Sequence, residues 1–377
     1  MLTVFKIAWG NTFQNKKRTL TALGGITFSI LLVFLQLGFL NGAKKEVTLL
    51  FDYFDFDIAV TSDRYQFMAT APPFDRIRLI QAKVDESIKD SFHLNVRMAR
   101  WLDNTTELES SLLLIGIDNK DDFIFNQDFS NGLRQIANGQ SVFLDRSSHS
   151  DFGKIEIGRK AIINSRQINV TSLFDLGLFF FAEGSAATNN GNFVKLAGRT
   201  SNDVTIGLLK IKDGYDANET VLRLRKSLPK DVLIFTREDF FEREHDYFIE
   251  VKPIGIMFKS AVFIAFAVGL VILFQVLSTE LGNRINEFAT MKAMGFSIQF
   301  IYGIGIMQNL IITLLSFLPA WLICTGIFNL IYALSKLPME MTWALFGTVF
   351  SLTMLMSITA GLLALRKVKK ADPAELF

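Results

Sequence analysis

The stretch "TELGNRINEFATMKAMGFS", Thr279–Ser297, places a charged segment between two of the most apolar runs in the chain. Its ionisable residues include Glu280, Arg284, Glu287 and Lys292. On a helix, Glu280 and Arg284 are four residues apart and Arg284 and Glu287 are three apart, so these side chains share one face. The pattern predicts a short helix with a charged, exposed face that joins two apolar segments.

Four segments of the chain contain no Asp, Glu, Lys, Arg or His. They are Thr19–Ala43, Ser260–Thr279, Ala293–Ser335 and Met341–Leu365. Each is at least as long as the roughly 20 residues that a helix needs to cross about 30 Å of hydrocarbon. Buried helices of globular domains are usually shorter, about 10 to 14 residues, and keep a polar face. Since half of the 377 residues are also hydrophobic, the sequence predicts a membrane protein.

The basic residues that flank the apolar segments predict the orientation of the chain. Clusters at 16–18 and 366–370 flank the first and last segments, and Lys and Arg are enriched in cytoplasmic loops. Both ends are therefore expected in the cytoplasm, which requires an even number of spans. The third segment is long and contains Pro319, but two spans there would make five in total. We predict four spans, at 19–42, 257–279, 298–321 and 342–365, with an outer connection at 323–340 and a cytoplasmic tail at 366–377.

The polar insertion between the first two spans, 43–255, is predicted to fold as a periplasmic α+β domain. Alternating runs such as "DFDIAVTS", "SLLLIGID" and "SVFLD" predict β-strands, and 74–88 and 218–229 have the periodicity of amphipathic helices. The order strand, helix, strand over 204–236 suggests a split βαβ unit. We predict a porter-like lobe with an inserted lobe at about 105–205.

The segment before the first span, 1–18, has the pattern of an amphipathic helix. Val4, Phe5, Ala8 and Trp9 recur at helical spacing, and the basic residues fall on other faces. Such a helix is expected to lie in the inner membrane interface, in contact with lipid.

On this topology the charged stretch, 280–297, is the cytoplasmic coupling helix between two spans; we name it the coupling segment. Gly295 is a candidate C-cap, and Ser297 is a candidate N-cap for the third span. Met291 and Met294 are predicted to be exposed, and flexible methionines suit docking into a groove on a partner. An ordinary polar loop is an equally weighted alternative on physical grounds.

The chain lacks the sequence signatures of several kinds of active site. No GxxxxGK[ST] phosphate loop occurs, because Gly153-Lys154 has neither the earlier glycine nor the following hydroxyl. His93, His149 and His245 are widely spaced without a second ligand at metal spacing, so surface positions are expected for them. The spans lack the ionisable residues that ion-coupled transporters need. A net charge of +2 without a basic stripe does not predict nucleic-acid binding.

The sequence "ELGNRINEFATMKAMGFS" resembles the signature of FtsX/MacB-type ABC transporter permeases, in which a Glu, an Arg and a second Glu precede an apolar "ATxKAxG" segment. Four spans, a large extracytoplasmic domain after the first, an amphipathic N-terminal helix and the ending "DPAELF" are also similar to this family. The forms "NEFATMKAMGFS" and "FKIAWGNTFQNKKRTLTALGGITFSILLVF" resemble the DevC type, the permease of cyanobacterial heterocyst-type glycolipid exporters.

The resemblance implies a non-catalytic, homodimeric permease of the inner membrane that transmits motion and carries no substrate through the bilayer. ATP and Mg would be bound by a separate DevA-type ATPase dimer. The periplasmic domain would act with a DevB-type adaptor and a TolC-like outer-membrane channel to expel glycolipid or another amphiphile. The chain itself would then need no cofactor and no metal.

The resemblance also assigns roles to residues of the coupling segment. Two charged residues, Glu280 and Arg284, would brace the helix where it leaves the membrane. The residues that would dock onto the ATPase are Glu287, Phe288, Ala289, Thr290, Met291, Lys292, Ala293, Met294 and Gly295.

Two alternative functions remain open. A lipoprotein-releasing or hydrolase-regulating FtsX-type permease would have the same architecture, and an adaptor gene beside this one would separate it from the tripartite exporter. A membrane-bound sensory receptor is an alternative of another class, although two spans and a cytoplasmic signalling domain would be expected for it. A secondary transporter is disfavoured by the uncharged spans.

Replacing Met291 and Met294 together by Asp should separate the permease from its ATPase without unfolding the periplasmic domain, because two charges would enter an apolar contact. Co-purification of the two proteins measures this effect. A double variant that retains the ATPase at the wild-type yield would show that the docking assignment is wrong.

Overall fold

The computed structural model describes residues 2–104, 108–118, 120, 123–136, 140–177, 179–251, 253–283, 287, 290–291 and 294–369. The chain divides into two compact units. The membrane unit consists of Met1–Gly42, Ile256–Leu334 and Met339–Phe377, and the sheet unit consists of Ala43–Gly255 and Ser335–Pro338.

Helices and strands alternate in the sheet unit, whereas the membrane unit is helical. The described helices are α1 Leu2–Phe13, α2 Lys16–Glu46, α3 Ile77–Ala82, α4 Gln127–Gln135, α5 Asn190–Ala197, α6 Ala217–Ser227, α7 Arg237–Asp246, α8 Pro253–Gly282, α9 Ile298–Ser335 and α10 Trp343–Lys369. The described strands are β1 Ile58–Ser62, β2 Phe74–Asp75, β3 Ile88–Leu102, β4 Glu109–Ile117, β5 Ser141–Asp145, β6 Lys160–Ile163, β7 Arg166–Phe174, β8 Gly184–Asn189, β9 Asp203–Val204, β10 Ile206–Ile211 and β11 Val232–Thr236.

Within these described ranges, four helices are long and apolar enough to cross a membrane. Their apolar parts are Thr19–Glu46 of α2, Gly255–Thr279 of α8, Gln299–Leu334 of α9 and Trp343–Ala364 of α10. Together with the helices and strands of the sheet unit, they confirm the predicted fold class, an α-helical membrane protein with four transmembrane helices and an α+β domain.

The third span differs from its prediction, because α9 runs through Pro319 to Ser335 without a break. At 38 residues it is about 57 Å long. The helix thus continues beyond the predicted end of the span at 321 and through most of the predicted outer connection at 323–340, whose position outside the membrane stays a prediction. Proline removes one helical hydrogen bond, but partners from a neighbouring helix can offset the loss. Pro319 cannot donate to the Leu315 carbonyl, and the Thr27 hydroxyl of α2 donates to the next carbonyl, that of Ser316, at 3.2 Å.

Small residues let the helices of the membrane unit approach closely. A Cβ atom on Gly269 of α8 would lie 2.7 Å from the Ser29 hydroxyl of α2 and 2.3 Å from Met356 of α10. On the other side of α2, a Cβ atom on Gly38 would lie 2.2 Å from the ring of Phe328 of α9. Close approach at glycine is a common way to pack helices in a lipid environment, where the hydrophobic effect does not drive them together.

A buried polar cluster joins α9 to α10. The Asn309 amide donates to the Ser357 carbonyl at 2.6 Å, and the hydroxyls of Thr313 and Ser357 are 3.0 Å apart. A Cβ atom on Gly361 would lie 3.0 Å from the Asn309 amide nitrogen, so glycine leaves room for this contact. Hydrogen bonds of this kind hold neighbouring helices together in hydrocarbon.

The sheet unit is built on one large mixed sheet, with the strand order β11-β1-β10-β3-β4-β8-β5-β7-β6 among the described strands. Most pairs are antiparallel, but β4 pairs with β8 and β5 pairs with β7 in parallel. The 15-residue strand β3 pairs with β10 near its start and with β4 over Leu94–Leu102. It therefore spans both halves of the sheet, and the predicted inserted lobe at 105–205 does not form a separate sheet.

The predicted strand, helix, strand unit near the end of the sheet unit is confirmed. Strands β10 and β11 flank β1 as antiparallel neighbours, and α6 lies between them in the chain. The helix begins where the Asp216 side chain accepts a hydrogen bond from the Glu219 amide at 2.9 Å. Its buried residues Val221 and Leu224 pack into a hydrophobic cluster with residues of all three strands.

The helix predicted over 74–88 is shorter in the structure. It starts at Ile77 and ends at Ala82, after a two-residue strand. A turn follows, in which the Asp85 side chain accepts hydrogen bonds from the Ser87 amide at 3.0 Å and the Ser87 hydroxyl at 2.5 Å. Asp and Ser favour such local bonds over continued helix, which explains the early end.

Glu244 of α7 is a fully buried carboxyl group in the sheet unit. Its two oxygens accept hydrogen bonds from the Tyr65 hydroxyl at 2.6 Å and the Met68 amide at 3.2 Å. Burial raises the pKa of Glu244 to about 8, because the loss of hydration outweighs these hydrogen bonds and the nearby Arg243. The group therefore carries a proton at neutral pH, and it fixes the loop after β1 to α7.

The stability of the sheet unit is expected to fall as the pH rises from about 5 to about 9. In the unfolded chain Glu244 loses its proton near the ordinary pKa of 4.5, whereas the folded unit keeps the proton to about 8. Between these values the folded state binds more protons, so rising pH favours unfolding by on the order of a few kcal/mol. His245 contributes with the opposite sign below its ordinary pKa of 6.5, because burial and Lys44 lower its pKa.

The fluorescence of Trp101 can measure this effect, since it is fully buried and stacks on Phe152 with ring centres 5.0 Å apart. The other tryptophans, Trp9, Trp321 and Trp343, would be replaced by Phe. Glu244→Gln should reduce the pH dependence but not abolish it, because burial also raises the pKa of Glu46 to about 8 and the pKa of Asp145 to about 6. Glu242→Gln on the exposed side of α7 should leave it unchanged. Parallel curves for the wild type and Glu244→Gln would contradict a protonated Glu244.

Candidate partner-docking site

The described end of the coupling segment is a helix that closes at Gly295. The Met294 amide donates to the Thr290 carbonyl at 3.0 Å, and the Phe296 amide donates to the Met291 carbonyl at 3.1 Å. Gly295 has a φ of +90°, which glycine adopts without steric cost. A bond that spans five residues around a positive-φ glycine is the pattern of a Schellman-type helix end. The predicted C-cap at Gly295 is confirmed.

The next helix starts almost at once. The Ser297 hydroxyl accepts a hydrogen bond from the Phe300 amide at 3.3 Å, and α9 begins at Ile298. Ser297 is therefore the N-cap of α9, as the sequence predicts. Two capped helix ends so close together fix the direction in which the chain turns.

Met291 differs from its prediction, because it is half-buried. It packs against a hydrophobic cluster whose fully buried members include Ala8 of α1 and Ile304 of α9. Other partly buried residues of this cluster are Val4, Ile7, Phe300 and Met307. The prediction of an exposed Met291 is wrong, and the side chain instead attaches the coupling segment to α1 and α9.

The N-terminal helix α1 has two apolar faces, whereas the sequence pattern suggested one. Val4 and Ala8 face the cluster with α9, but Phe5 and Trp9 are nearly half exposed. Phe5 and Trp9 stack with ring centres 6.0 Å apart, and Phe13 continues the row at 5.0 Å from Trp9. The inner face holds α1 against the membrane unit, while contact of the outer face with the inner membrane interface stays a prediction.

The exposed side of the coupling segment forms the candidate site, which we name the docking surface. Met294 is 64% exposed and Phe296 is 44% exposed, and both lie at the turn that Gly295 closes. Glu287 and Thr290, in the helical part of the segment before this turn, are also exposed. The docking surface thus combines two polar side chains with two large apolar ones, a composition that suits a protein partner.

Phe296 was missed at the sequence level, since it follows the motif and falls beside a predicted cap. Its ring stacks on Phe300 with centres 5.3 Å apart, and Phe300 belongs to the Met291 cluster. The available signal was its position directly before the candidate N-cap Ser297, where an apolar residue often packs on the first turn of the helix.

Several predicted site residues lie outside the described residues. These are Arg284, Phe288, Ala289, Lys292 and Ala293. The backbone of Glu280 lies in the last turn of α8, which ends at Gly282. The proposed bracing by Glu280 and Arg284 and the docking roles of the four other residues stay predictions.

The histidines do not all occupy the predicted surface positions. His149 is exposed, but His93 is 8% exposed and its Nδ1 atom lies 3.0 Å from the Asp118 carboxylate. Burial and this contact with His93 act in opposite directions on Asp118, and the net effect lowers its pKa. Asn190 donates to the same carboxylate at 2.8 Å, so the group is part of a polar network between β3, β4 and α5. Among the residues that the structure describes, no group of three or more His, Cys, Asp or Glu could hold a metal.

The family comparison falls on the segment that carries the docking surface. Residues 259–373 match the family described as FtsX-like permease C-terminal. The match is confined to this part of the chain. It includes most of α8, the coupling segment, α9 and α10, so the capped turn at Gly295 belongs to the FtsX-like region.

Solved structures are similar to about half of the chain. The periplasmic region of MacB from Actinobacillus actinomycetemcomitans is 13% identical, with a TM-score of 0.36, over 52% of this chain and 96% of that one. The extracellular domain of the noncanonic ABC-type transporter YknZ from Gram-positive bacteria is 12% identical, with a TM-score of 0.31, over 48% and 98%. No curated protein matches the chain.

Met294→Asp should weaken binding of the expected ATPase at least about tenfold, or about 1.4 kcal/mol, because it places a charge in an apolar contact. Met291→Ala should instead lower the stability of the membrane unit by about 1 to 2 kcal/mol, since it removes a half-buried side chain. Pull-down titration measures binding, and thermal unfolding in nanodiscs measures stability.

Met294→Leu is the matched control, since it keeps an apolar side chain of similar volume. It should bind like the wild type. If Met294→Asp bound the ATPase as tightly as Met294→Leu did, the docking surface would lie elsewhere on the FtsX-like domain.

Proposed function

We propose that this chain is the permease subunit of an ABC-type exporter, which passes the motion of a separate ATPase to its own sheet unit. The observation that carries the proposal is the rigidly capped turn of the FtsX-like domain. It exposes Met294 and Phe296, while Met291 fixes the same turn to α1 and α9. A surface that is exposed on one side and anchored on the other can transmit a push.

The helices offer a continuous path for such a push. α8 leads directly into the coupling segment, and it packs on α2 where Gly269 meets Ser29. Both helices extend past the membrane unit in the chain, α2 to Glu46 and α8 back to Pro253. Because a continuous helix is a rigid element, displacement of one end of α2 or α8 is expected to displace its other end.

The absence of ionisable residues within the four apolar segments supports mechanical work over ion-coupled transport. The proposal therefore assigns ATP and Mg to the partner and no catalytic step to this chain. By the positive-inside rule, the basic clusters at 16–18 and 366–370 favour cytoplasmic ends and a periplasmic sheet unit in an inner-membrane protein.

The finer proposal rests on the motif "NEFATMKAMGFS" and its similarity to DevC-type permeases. It is a homodimer that works with a DevA-type ATPase, a DevB-type adaptor and a TolC-like channel to export glycolipid or another amphiphile. An FtsX-like domain is common to lipoprotein-releasing and hydrolase-regulating permeases, so the adaptor decides between these functions.

Co-purification from detergent with the ATPases and adaptors encoded nearby tests both levels of the proposal. We expect one ATPase to co-purify and its ATP turnover to depend on this chain, because the docking surface couples the two proteins. Addition of the adaptor should change that turnover further.

An ATPase complex that is indifferent to every adaptor would favour the lipoprotein-releasing or hydrolase-regulating function. A chain that retains no ATPase, while Met294→Leu and Met294→Asp behave alike, would overturn the ABC assignment and favour a membrane-bound sensor.

A further inference from the structure

A tight turn in the sheet unit contacts two of the chain segments that lead to membrane helices, and Gly177, just before the turn, lies near a third. The turn is Phe179–Ala182, which we name the phenylalanine turn; the Ala182 amide closes it by donating to the Phe179 carbonyl at 3.2 Å. It lies between β7 and β8 in the chain. We infer that the phenylalanine turn is the point where displacement of the membrane helices enters the sheet. This inference rests on the proposed function.

The first contact of the turn is with the end of α2. Glu46 is the last residue of α2 and belongs to the sheet unit, and it is only 2% exposed. Its carboxyl oxygen accepts a hydrogen bond from the Phe180 backbone amide. A buried carboxyl group without a hydrogen-bond partner is unfavourable in free energy. The end of α2 and the turn are therefore expected to move together.

The second contact is with the segment that leads into α8. Phe248 is 2% exposed and lies in the π-helical turn Tyr247–Val251, directly before α8. The ring of Phe180 stacks on Phe248 at 6.4 Å. Phe181 meets Phe67 edge to face at 5.1 Å, and Phe67 in turn lies 5.9 Å from Phe248. Aromatic contacts of this geometry add to the stability that burial supplies.

The third segment is the connection between α9 and α10. Residues Ser335–Pro338 of this connection belong to the sheet unit. A Cβ atom on Gly177, two residues before the turn, would lie 3.8 Å from the Lys336 carbonyl oxygen and 3.6 Å from Leu49. Gly177 also has a φ of +110°, so a residue with a side chain would strain the backbone there.

The base of the turn is fixed to the sheet by Asp145 of β5. The fully buried Asp145 carboxyl accepts hydrogen bonds from the amides of Leu176 at 3.2 Å and Gly177 at 3.0 Å, and from the Ser185 hydroxyl at 3.1 Å. Ser185 is in β8, which pairs with β4 on one side and β5 on the other. A displacement of the turn therefore acts directly on a central strand.

If these contacts only stabilised the sheet unit, a buried carboxyl group would not be needed. The Glu46 contact is polar and directional, and apolar packing of the same volume would avoid its desolvation. An arrangement that joins three membrane connections to one strand through defined contacts is what transmission requires, and Glu46 is the positioning residue in it.

Amide hydrogen exchange in the intact chain, reconstituted in nanodiscs with its co-purifying ATPase, tests the inference. Exchange would be followed over the phenylalanine turn, β8 and the segment Tyr247–Val251, without nucleotide and after trapping with ATP and vanadate. We expect trapping to change exchange in all three regions of the wild type. In Glu46→Ala, exchange at the turn should be at least about tenfold faster without nucleotide, because the Phe180 amide loses its buried acceptor.

In Glu46→Ala, trapping should still change exchange over Tyr247–Val251 but no longer in β8. Glu46→Gln keeps an oxygen acceptor at the same place and should restore the response of β8. Phe125→Leu, at a phenylalanine of the same unit that is 62% exposed, is the matched control and should respond like the wild type.

The possible failures are distinguishable. If trapping altered Tyr247–Val251 but left the phenylalanine turn and β8 unchanged in the wild type, the proposed function would stand and this inference would be wrong. A β8 response that survives in Glu46→Ala would also overturn it. If no region responded to nucleotide, the proposed function would fail, and the inference would fall with it.

Discussion

Hydrocarbon offers no hydrogen-bond partner to a peptide group, so each charge-free segment of this chain must satisfy its own backbone as a helix. That constraint explains why α9 continues through Pro319, where a side chain of α2 bonds to the neighbouring carbonyl. It also explains the small residues and buried amide and hydroxyl groups at helix contacts. The result is a set of closely packed helices, and the proposed mechanical transmission depends on their continuity.

The coupling segment is the place where the chain leaves this environment and returns to it. A positive-φ glycine ends one helix, and a serine begins the next two residues later. The chain can reverse so sharply because both caps satisfy amide groups that would otherwise need water. Met291 then fixes the turn to α1 and α9, which leaves Met294 and Phe296 on the exposed side. One short stretch thus carries an anchor on one side and the proposed docking surface on the other.

The sheet unit is one compact body, although several segments that lead to membrane helices belong to it. Strand β3 is long enough to join both halves of the sheet. The hydrophobic cluster that contains Val221 and Leu224 and a second one that contains Trp101 and Phe152 therefore pack on one sheet. Near those segments the unit buries carboxyl groups at Glu46, Asp145 and Glu244. Each is held by hydrogen bonds from a loop or turn, which ties irregular backbone to helices and strands at defined points.

The sequence by itself determined the four apolar spans, the strands around β1, the α6 unit and the two caps of the coupling segment. These features depend on periodicity and on bonds between residues a few positions apart, and such local signals are legible without a structure. Only the tertiary structure decided that Met291 faces inward, that α1 has two apolar faces and that α9 does not break at Pro319. It alone brought Glu46 to the phenylalanine turn, more than a hundred residues away in the chain. Periodicity shows that a side chain can be buried, but the partner that buries it is set by the packing of distant segments.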